Sequence, residues 1–209
     1  MRLRRARLDD VPAMLEVKRS LRFTGSAEGG FLLGSDAAGY RAHLTDSHCW
    51  VIEGPDTCVQ GFAIVQGDRA FRASEVFARR GDVRWQLDPE PVLALRLAWF
   101  EQLAVRRGPY RRWGAAVAYT ALRDAMHDAD ALLTATVQSP VTNLAAVPYL
   151  ERFGGTRVGR IDEVYPDFGP LVSDIWLVRG DAMEARHARP HGAAETWVRD
   201  TADRALSSA

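Results

Sequence analysis

The stretch VRRGPYRRWGAAV, Val105 to Val117, decides how this chain is read. It places four arginines, two glycines and a proline between two apolar runs. The run before it, LALRLAWFEQLAV, ends at Val105, and Ala98 to Val105 has the composition of a buried central strand. After it, Val117, Ala121, Leu122 and Ala125 recur at helical spacing, which predicts an amphipathic helix from Ala115 to Ala129. The unit is therefore strand, basic loop, helix. A helix start leaves N–H groups unpaired and carries a partial positive charge. A loop of small residues feeding into it can close those N–H groups around a phosphate. Here Arg111 and Arg112 add charge, and Gly114-Ala115-Ala116 keep the start free of bulk. The spacing Arg111-x-x-Gly114-x-Ala116 is neither the nucleotide P-loop nor the dinucleotide GxGxxG pattern. Taken alone, the hexapeptide reads equally well as a basic surface turn.

Working outward, Arg2 to Leu8 suggests a short edge strand, and Asp9 or Asp10 offers a cap for a helix running to about Leu21 with Pro12 in its first turn. Thr24 to Gly34 is glycine-rich and reads as a loop; Ser35 or Asp36 then caps a short helix through Leu44. CWVIEGPDTCVQGFAIV, Cys49 to Val65, is a hairpin folded at Gly54-Pro55-Asp56. From Gly67 to Arg96 the pattern is irregular, with a helix expected over Ser74–Arg80 and a strand over Val83–Leu87. Beyond the opening stretch come a strand at Leu132–Val137, a helix at Leu144–Phe153 ended by Gly154-Gly155, and an antiparallel pair, Arg157–Val164 and Val172–Val178. Residues 181–209 are polar and alanine-rich and read as a terminal helix or a tail.

The totals restrict the function. Lys+Arg and Asp+Glu both count 27 in 209 residues, whereas phosphate-backbone binders carry a positive excess. Nucleic acid is thereby disfavoured as a partner. Two cysteines, Cys49 and Cys58, with no Cys/His cluster, point to neither a disulfide framework nor a metal site. No apolar run reaches the ~18 residues of a membrane span, and the start MRLRRARLDD lacks an apolar signal core. The expectation is a cytoplasmic protein without a membrane segment.

The Arg111-x-x-Gly114-x-Ala116 spacing after a central strand resembles the signature Gln/Arg-x-x-Gly-x-Gly/Ala of the Gcn5-related N-acetyltransferase (GNAT) family. The first helix, the WVIE–GFAIV hairpin and NLAAVPYLERFGG fall in that family's order, so the resemblance spans roughly residues 2 to 178. It implies an α/β fold, a mostly antiparallel mixed sheet with one splayed parallel strand pair between helices, over residues 1–180. It also implies acetyl-CoA as cofactor. Backbone groups of Arg111, Arg112, Trp113, Gly114, Ala115 and Ala116 would hold its pyrophosphate; Leu103, Ala104 and Val105 would face its pantetheine arm, and Asn143 the arm's amides. Trp113 departs from the Lys or Arg usual at its position, and the loop after Val105 is about one residue longer than usual.

The implied chemistry needs a group to take the ammonium proton and one to protonate the departing thiolate. Glu101 is the candidate base, expected on one strand face with Leu103 and Val105; the bland alternative is a glutamate paired with an arginine. The family's N-x-x-A-x-x-x-Y segment matches Asn143 and Ala146, but its tyrosine position holds Leu150. Tyr149, one place earlier, is the candidate acid, re-aimed by Pro148, with water as substitute. Asn143 would serve equally as a helix cap. The insert at 67–96 carries Phe71, Glu75, Phe77 and Trp85, and serves either as a wall for a small cationic amine or as an arm of a homodimer. The leading function is transfer of acetyl to a small-molecule primary amine within a ternary complex. The competing one is an acyl-CoA sensor without turnover, suggested by the displaced tyrosine.

Overall fold

The computed structural model describes residues 1–21, 32, 35–165 and 169–209. The loop expected at Thr24–Gly34 lies almost wholly outside them, as does the tip of the last hairpin at 166–168. Strand β1 (Arg2–Arg5) leads through a 3-10 turn into helix α1 (Val11–Ser20), then α2 (Ala37–Asp46). Strands β2 (Ser47–Glu53) and β3 (Val59–Gln66) form the expected hairpin. The insert holds α3 (Asp68–Arg72), α4 (Glu75–Ala78), β4 (Arg84–Trp85) and α5 (Glu90–Leu93). Then follow β5 (Leu97–Val105), α6 (Arg111–Ala125), β6 (Ala131–Ser139), α7 (Val147–Arg152), β7 (Thr156–Tyr165), β8 (Gly169–Arg179), α8 (Gly180–Ala188) and α9 (Gly192–Leu206).

One sheet runs through the molecule in the order β1-β2-β3-β5-β6-β8-β7-β4. Every neighbouring pair is antiparallel except β5 and β6. Helix α6 packs on one face over Trp50, Ile52, Ala98 and Leu132. On the other face α1 and α2 cover Val51, Phe62 and Ile64, and the insert covers Leu97, Trp99 and Leu133. Strand β3 is buried along its whole length, which explains its continuous apolar run.

Several elements differ from expectation. The cap of α2 is as read: Gly39 N–H donates to Asp36 Oδ1 at 2.9 Å. Asp10 does not cap α1; its carboxylate instead accepts from Arg7 N–H at 2.8 Å and from both Arg4 nitrogens, Nη1 at 2.7 and Nη2 at 2.8 Å. The helix expected at Ser74–Arg80 is cut to α4 plus a 3-10 turn, and the strand expected at Val83–Leu87 shrinks to Arg84–Trp85. Pro148 stands in the first turn of α7 rather than distorting a longer helix. Cys58 is exposed and Cys49 is buried, and both are free. The final residues are no tail. Met183, Ala202 and Ala205 enter the core under α6, and Trp197 packs on Trp113.

Asp124 on α6 ties three elements together. It accepts from Arg5 Nη2 at 2.7 Å and Trp50 Nε1 at 2.9 Å, and His48 Nδ1 lies 3.0 Å away. Burial pushes its carboxyl up, but the nearby His48, the bond from Trp50 and the Arg5 charge outweigh this and leave it below the ordinary value. A carboxyl lowered in the folded state adds stability above its unfolded value, near pH ~4, and that stability is lost as pH falls through the folded value. Asp124→Ala should cost about 3–5 kcal/mol, because it strands buried partners. Calorimetric unfolding against pH should show the parent protein losing more stability than the variant below pH ~4.

Candidate active site

Strands β5 and β6 pair only from Leu97, Ala98 and Trp99 to Ala131, Leu132 and Leu133. One further tie, Thr134 Oγ1 to the Phe100 carbonyl at 2.8 Å, closes the pairing. Beyond it β5 continues along β3 to Val105, while β6 continues along β8 to Ser139. The two strands diverge, and among the described residues no strand fills the gap. Backbone N–H and C=O groups facing such a gap need partners. An extended ligand bearing amides would supply them.

The divergence begins at a bulge. The β3–β5 register runs Ile64 to Gln102 and Val65 to Phe100, leaving Glu101 as the extra residue. The extra residue switches which side chains share a face. Ala98, Phe100, Leu103 and Val105 pack toward α6, while Leu97, Trp99 and Ala104 face the opposite side. Glu101 thus does not share a face with Leu103 and Val105, contrary to simple alternation. Its Oε2 accepts from Trp99 Nε1 at 2.9 Å and Gln66 Nε2 at 3.3 Å. Both bonds fall on one oxygen, and among the described residues no donor reaches Oε1. The expected alternative, a pairing with arginine, does not occur among them.

A cavity of about 870 Å³ runs through the gap. Its lining joins Gly114 and Asn143 at one end to Glu101 and the insert's Phe77 and Trp85 at the other. Gly108, at φ +109°, turns the chain between Val105 and α6 in a conformation that favours glycine. Helix α6 begins at Arg111, four residues earlier than the sequence suggests. The motif therefore lies within the first helical turns. Ala115 and Ala116 are past the unpaired N–H groups, Ala116 is fully buried in the core, and Trp113 N–H already donates to the Tyr110 carbonyl at 2.9 Å. The anion-facing groups narrow to the helix start, which no side chain caps, and to the arginines around it. Arg106 meets Glu16 at 3.4 Å. Arg112 lies 5.9 Å from the Trp197 ring centroid, and among the described residues neither it nor Arg107 has a carboxylate partner. The Trp113 side chain turns away to meet Trp197 edge-on at 5.1 Å, so α9 braces the helix start. Of the three expected β5 contacts, Leu103 and Val105 line the cavity, while the Ala104 side chain is buried against the other face.

Two details fit an amide-bearing, phosphorylated ligand. A Cβ on Gly114 would lie 3.1 Å from Val105 Cγ2 and 3.6 Å from the Tyr149 hydroxyl, so glycine keeps the helix start open. Asn143 is no helix cap, since α7 starts at Val147; its Oδ1 is buried on the cavity wall without a partner among the described residues. An orphaned buried acceptor is costly unless a ligand donor reaches it.

That contact at Gly114 also places Tyr149. Its hydroxyl stands at the Val105 end of β5, about 13 Å along the strand from Glu101 at ~3.3 Å per residue. Glu101 and Tyr149 line one cavity but are not brought together. Tyr165, which the sequence did not single out, lies where the Glu101 charge reaches it. Burial first, and then the charges of Glu163 and Glu101, push its hydroxyl up to about 12. His43 on α2 also feels Glu101, but burial holds its pKa below the ordinary value. Tyr165 escaped notice because it is a lone aromatic beside a turn, with no motif around it.

No protein-family model and no curated protein matches the chain. Solved structures do. The chain is similar to the ribosomal-protein-S18-alanine N-acetyltransferase from Escherichia coli at a TM-score of 0.56, 14% identity, and coverage of 85% of this chain and 92% of that one. NAA60 from Arabidopsis thaliana in complex with acetyl-CoA gives 0.58 at 13% identity, covering 85% and 98%. Arylalkylamine N-acetyltransferase 2 from Aedes aegypti gives 0.57 at 10% identity, also covering 85% and 98%. The chain has the GNAT fold. Such identities establish architecture, and the GNAT fold accounts for the mixed sheet, its single parallel pair and the helices on both faces. Among the described residues no helix is long and apolar enough to cross a membrane.

Proposed function

We propose that the protein is an acetyl-CoA-dependent N-acetyltransferase that moves an acetyl group to the primary amine of a small molecule by direct transfer in a ternary complex. The observation that carries this reading is the cavity through the β5–β6 gap, with an open helix start at one end and, at the other, a carboxylate whose Oε1 is free of donors among the described residues. Neighbours of the same fold include one solved with acetyl-CoA and others whose names specify a protein alanine or arylalkylamines as acceptors. Acetyl-CoA, when bound, supplies the acetyl group activated as a thioester. The helix start at Arg111–Gly114, with Arg106, Arg107 and Arg112, would hold its phosphates. Asn143 Oδ1 would accept from an amide of its arm.

The remaining steps belong to this chain's side chains. Glu101 Oε1 binds the incoming ammonium and takes its proton, while Trp99 and Gln66 fix the carboxylate through Oε2. Tyr165 stays protonated at neutral pH and holds a proton for the departing sulfur. Tyr165→Phe should lower turnover about tenfold or more, water replacing it in part, whereas Tyr149→Phe should change turnover less than about threefold. Steady-state rates of thiol release check both. An equal loss in the two variants would return the acid role to Tyr149.

A further inference from the structure

The insert reaches Glu101 through a chain of rings. Phe77 meets Phe71 edge-on with centroids 5.2 Å apart, and Phe71 stacks on Trp99 at 5.2 Å with the planes 9° apart. Trp99 then donates to the Glu101 carboxylate at 2.9 Å. Trp85 and Val83, also from the insert, complete the same wall of the cavity. The insert's rings thus project into this chain's own cavity, as an acceptor wall requires and a dimer arm does not.

The charges along that wall are as informative as the rings. Glu163 is engaged by Ser173 Oγ at 2.9 Å, with Arg79 Nη1 at 3.8 Å. Glu75 is exposed at the rim, on the wall that also carries Arg79 and Arg80. The Arg80 and Arg72 guanidiniums lie 4.5 and 5.2 Å from the Phe77 ring centroid, and Arg80 has no carboxylate partner among the described residues. Among the described residues the wall therefore offers one sheltered carboxylate with no cation beside it, Glu101, whose Oε1 is unengaged; the second sheltered carboxylate, Glu163, already faces Arg79 and Ser173.

We infer that the acceptor is a monoamine with a planar aromatic body, its ring against the Phe77–Trp85 wall and its ammonium on Glu101 Oε1. This rests on the transferase reading above. Ring–ring contacts in offset or edge-on geometry add about 0.5–1.5 kcal/mol beyond apolar burial, a factor of roughly 2–13. A polyamine would bring its second ammonium toward Glu163, where it would have to displace Arg79 with Arg80 close by.

The test uses the full chain with acetyl-CoA and four acceptors: 2-phenylethylamine, hexylamine, spermidine and an alanine-initiated peptide. The expected result is the highest kcat/KM for 2-phenylethylamine, at least threefold above hexylamine and more than tenfold above spermidine. Phe77→Leu should raise the KM for 2-phenylethylamine about fivefold and leave those for hexylamine and acetyl-CoA unchanged. Preference for spermidine or the peptide, or an unchanged KM in Phe77→Leu, would overturn the inference. Calorimetric binding of 2-phenylethylamine and hexylamine to the CoA-loaded protein separates the two levels. Ring-dependent binding without thiol release would overturn the transferase reading and leave the aromatic wall standing; binding that ignores the ring, or none, would overturn the wall.

Discussion

Glu101→Gln should reduce turnover by about 10²- to 10⁴-fold while leaving acetyl-CoA affinity within about twofold. The amide keeps the size of the side chain and an acceptor for Trp99 Nε1, so the bulge and the ring wall stay in place. What it removes is the charge that attracts an ammonium and the lone pair that takes its proton. Affinity for acetyl-CoA should persist because the groups assigned to phosphate and amide lie at the other end of the cavity, by Gly114 and Asn143. Thiol-release kinetics and cofactor titration on one preparation measure the two quantities. Unchanged turnover at neutral pH would remove Glu101 from the chemistry.

Gly114→Trp should weaken CoA binding at least 100-fold, about 2.7 kcal/mol, without unfolding the protein. Gly114 lies inside helix α6, where replacing glycine by tryptophan gains about 0.5 kcal/mol of helix propensity. A new side chain cannot turn toward β5, since its Cβ already stands 3.1 Å from Val105 Cγ2. It must enter the cavity at the helix start, where a pyrophosphate would lie. Gly114→Ala, which adds only that Cβ, should weaken binding far less. Titration calorimetry gives the affinities, and an unchanged melting temperature shows that the loss is local. Full CoA affinity in Gly114→Trp would move the cofactor elsewhere on the molecule.

Much of this arrangement was legible in the sequence because it depends on local rules. Gly54-Pro55-Asp56 specifies a hairpin, Asp36 caps α2, and the basic stretch joins an apolar strand to an amphipathic helix. The glycine spacing then points to a fold that the β5–β6 gap displays. What was not legible depends on registry. A single bulge at Glu101 reverses the faces of β5, and period-two counting has no means of seeing an extra residue whose cause is pairing with β3. The start of α6 was misplaced because Arg111, Arg112 and Trp113 were read as loop, although α9 supplies the packing that lets Trp113 sit in a helix. Tyr149 matched a family spacing to within one residue, yet one residue on a helix is a rotation of about 100°, enough to carry its hydroxyl to the Gly114 end. Tyr165 needed the whole of β7 to bring it near Glu101. The insert's rings were visible as composition; their ordered contact with Glu101 through Trp99 was not.

The most direct test of the central claim is amine-dependent thiol release from acetyl-CoA by the purified chain, with the product identified by mass spectrometry. The expected result is saturable release that requires the amine, yields the N-acetylated amine in equal amount, and disappears in Glu101→Gln. Tight CoA binding with no release across the amine panel would contradict it and leave an acyl-CoA sensor in its place.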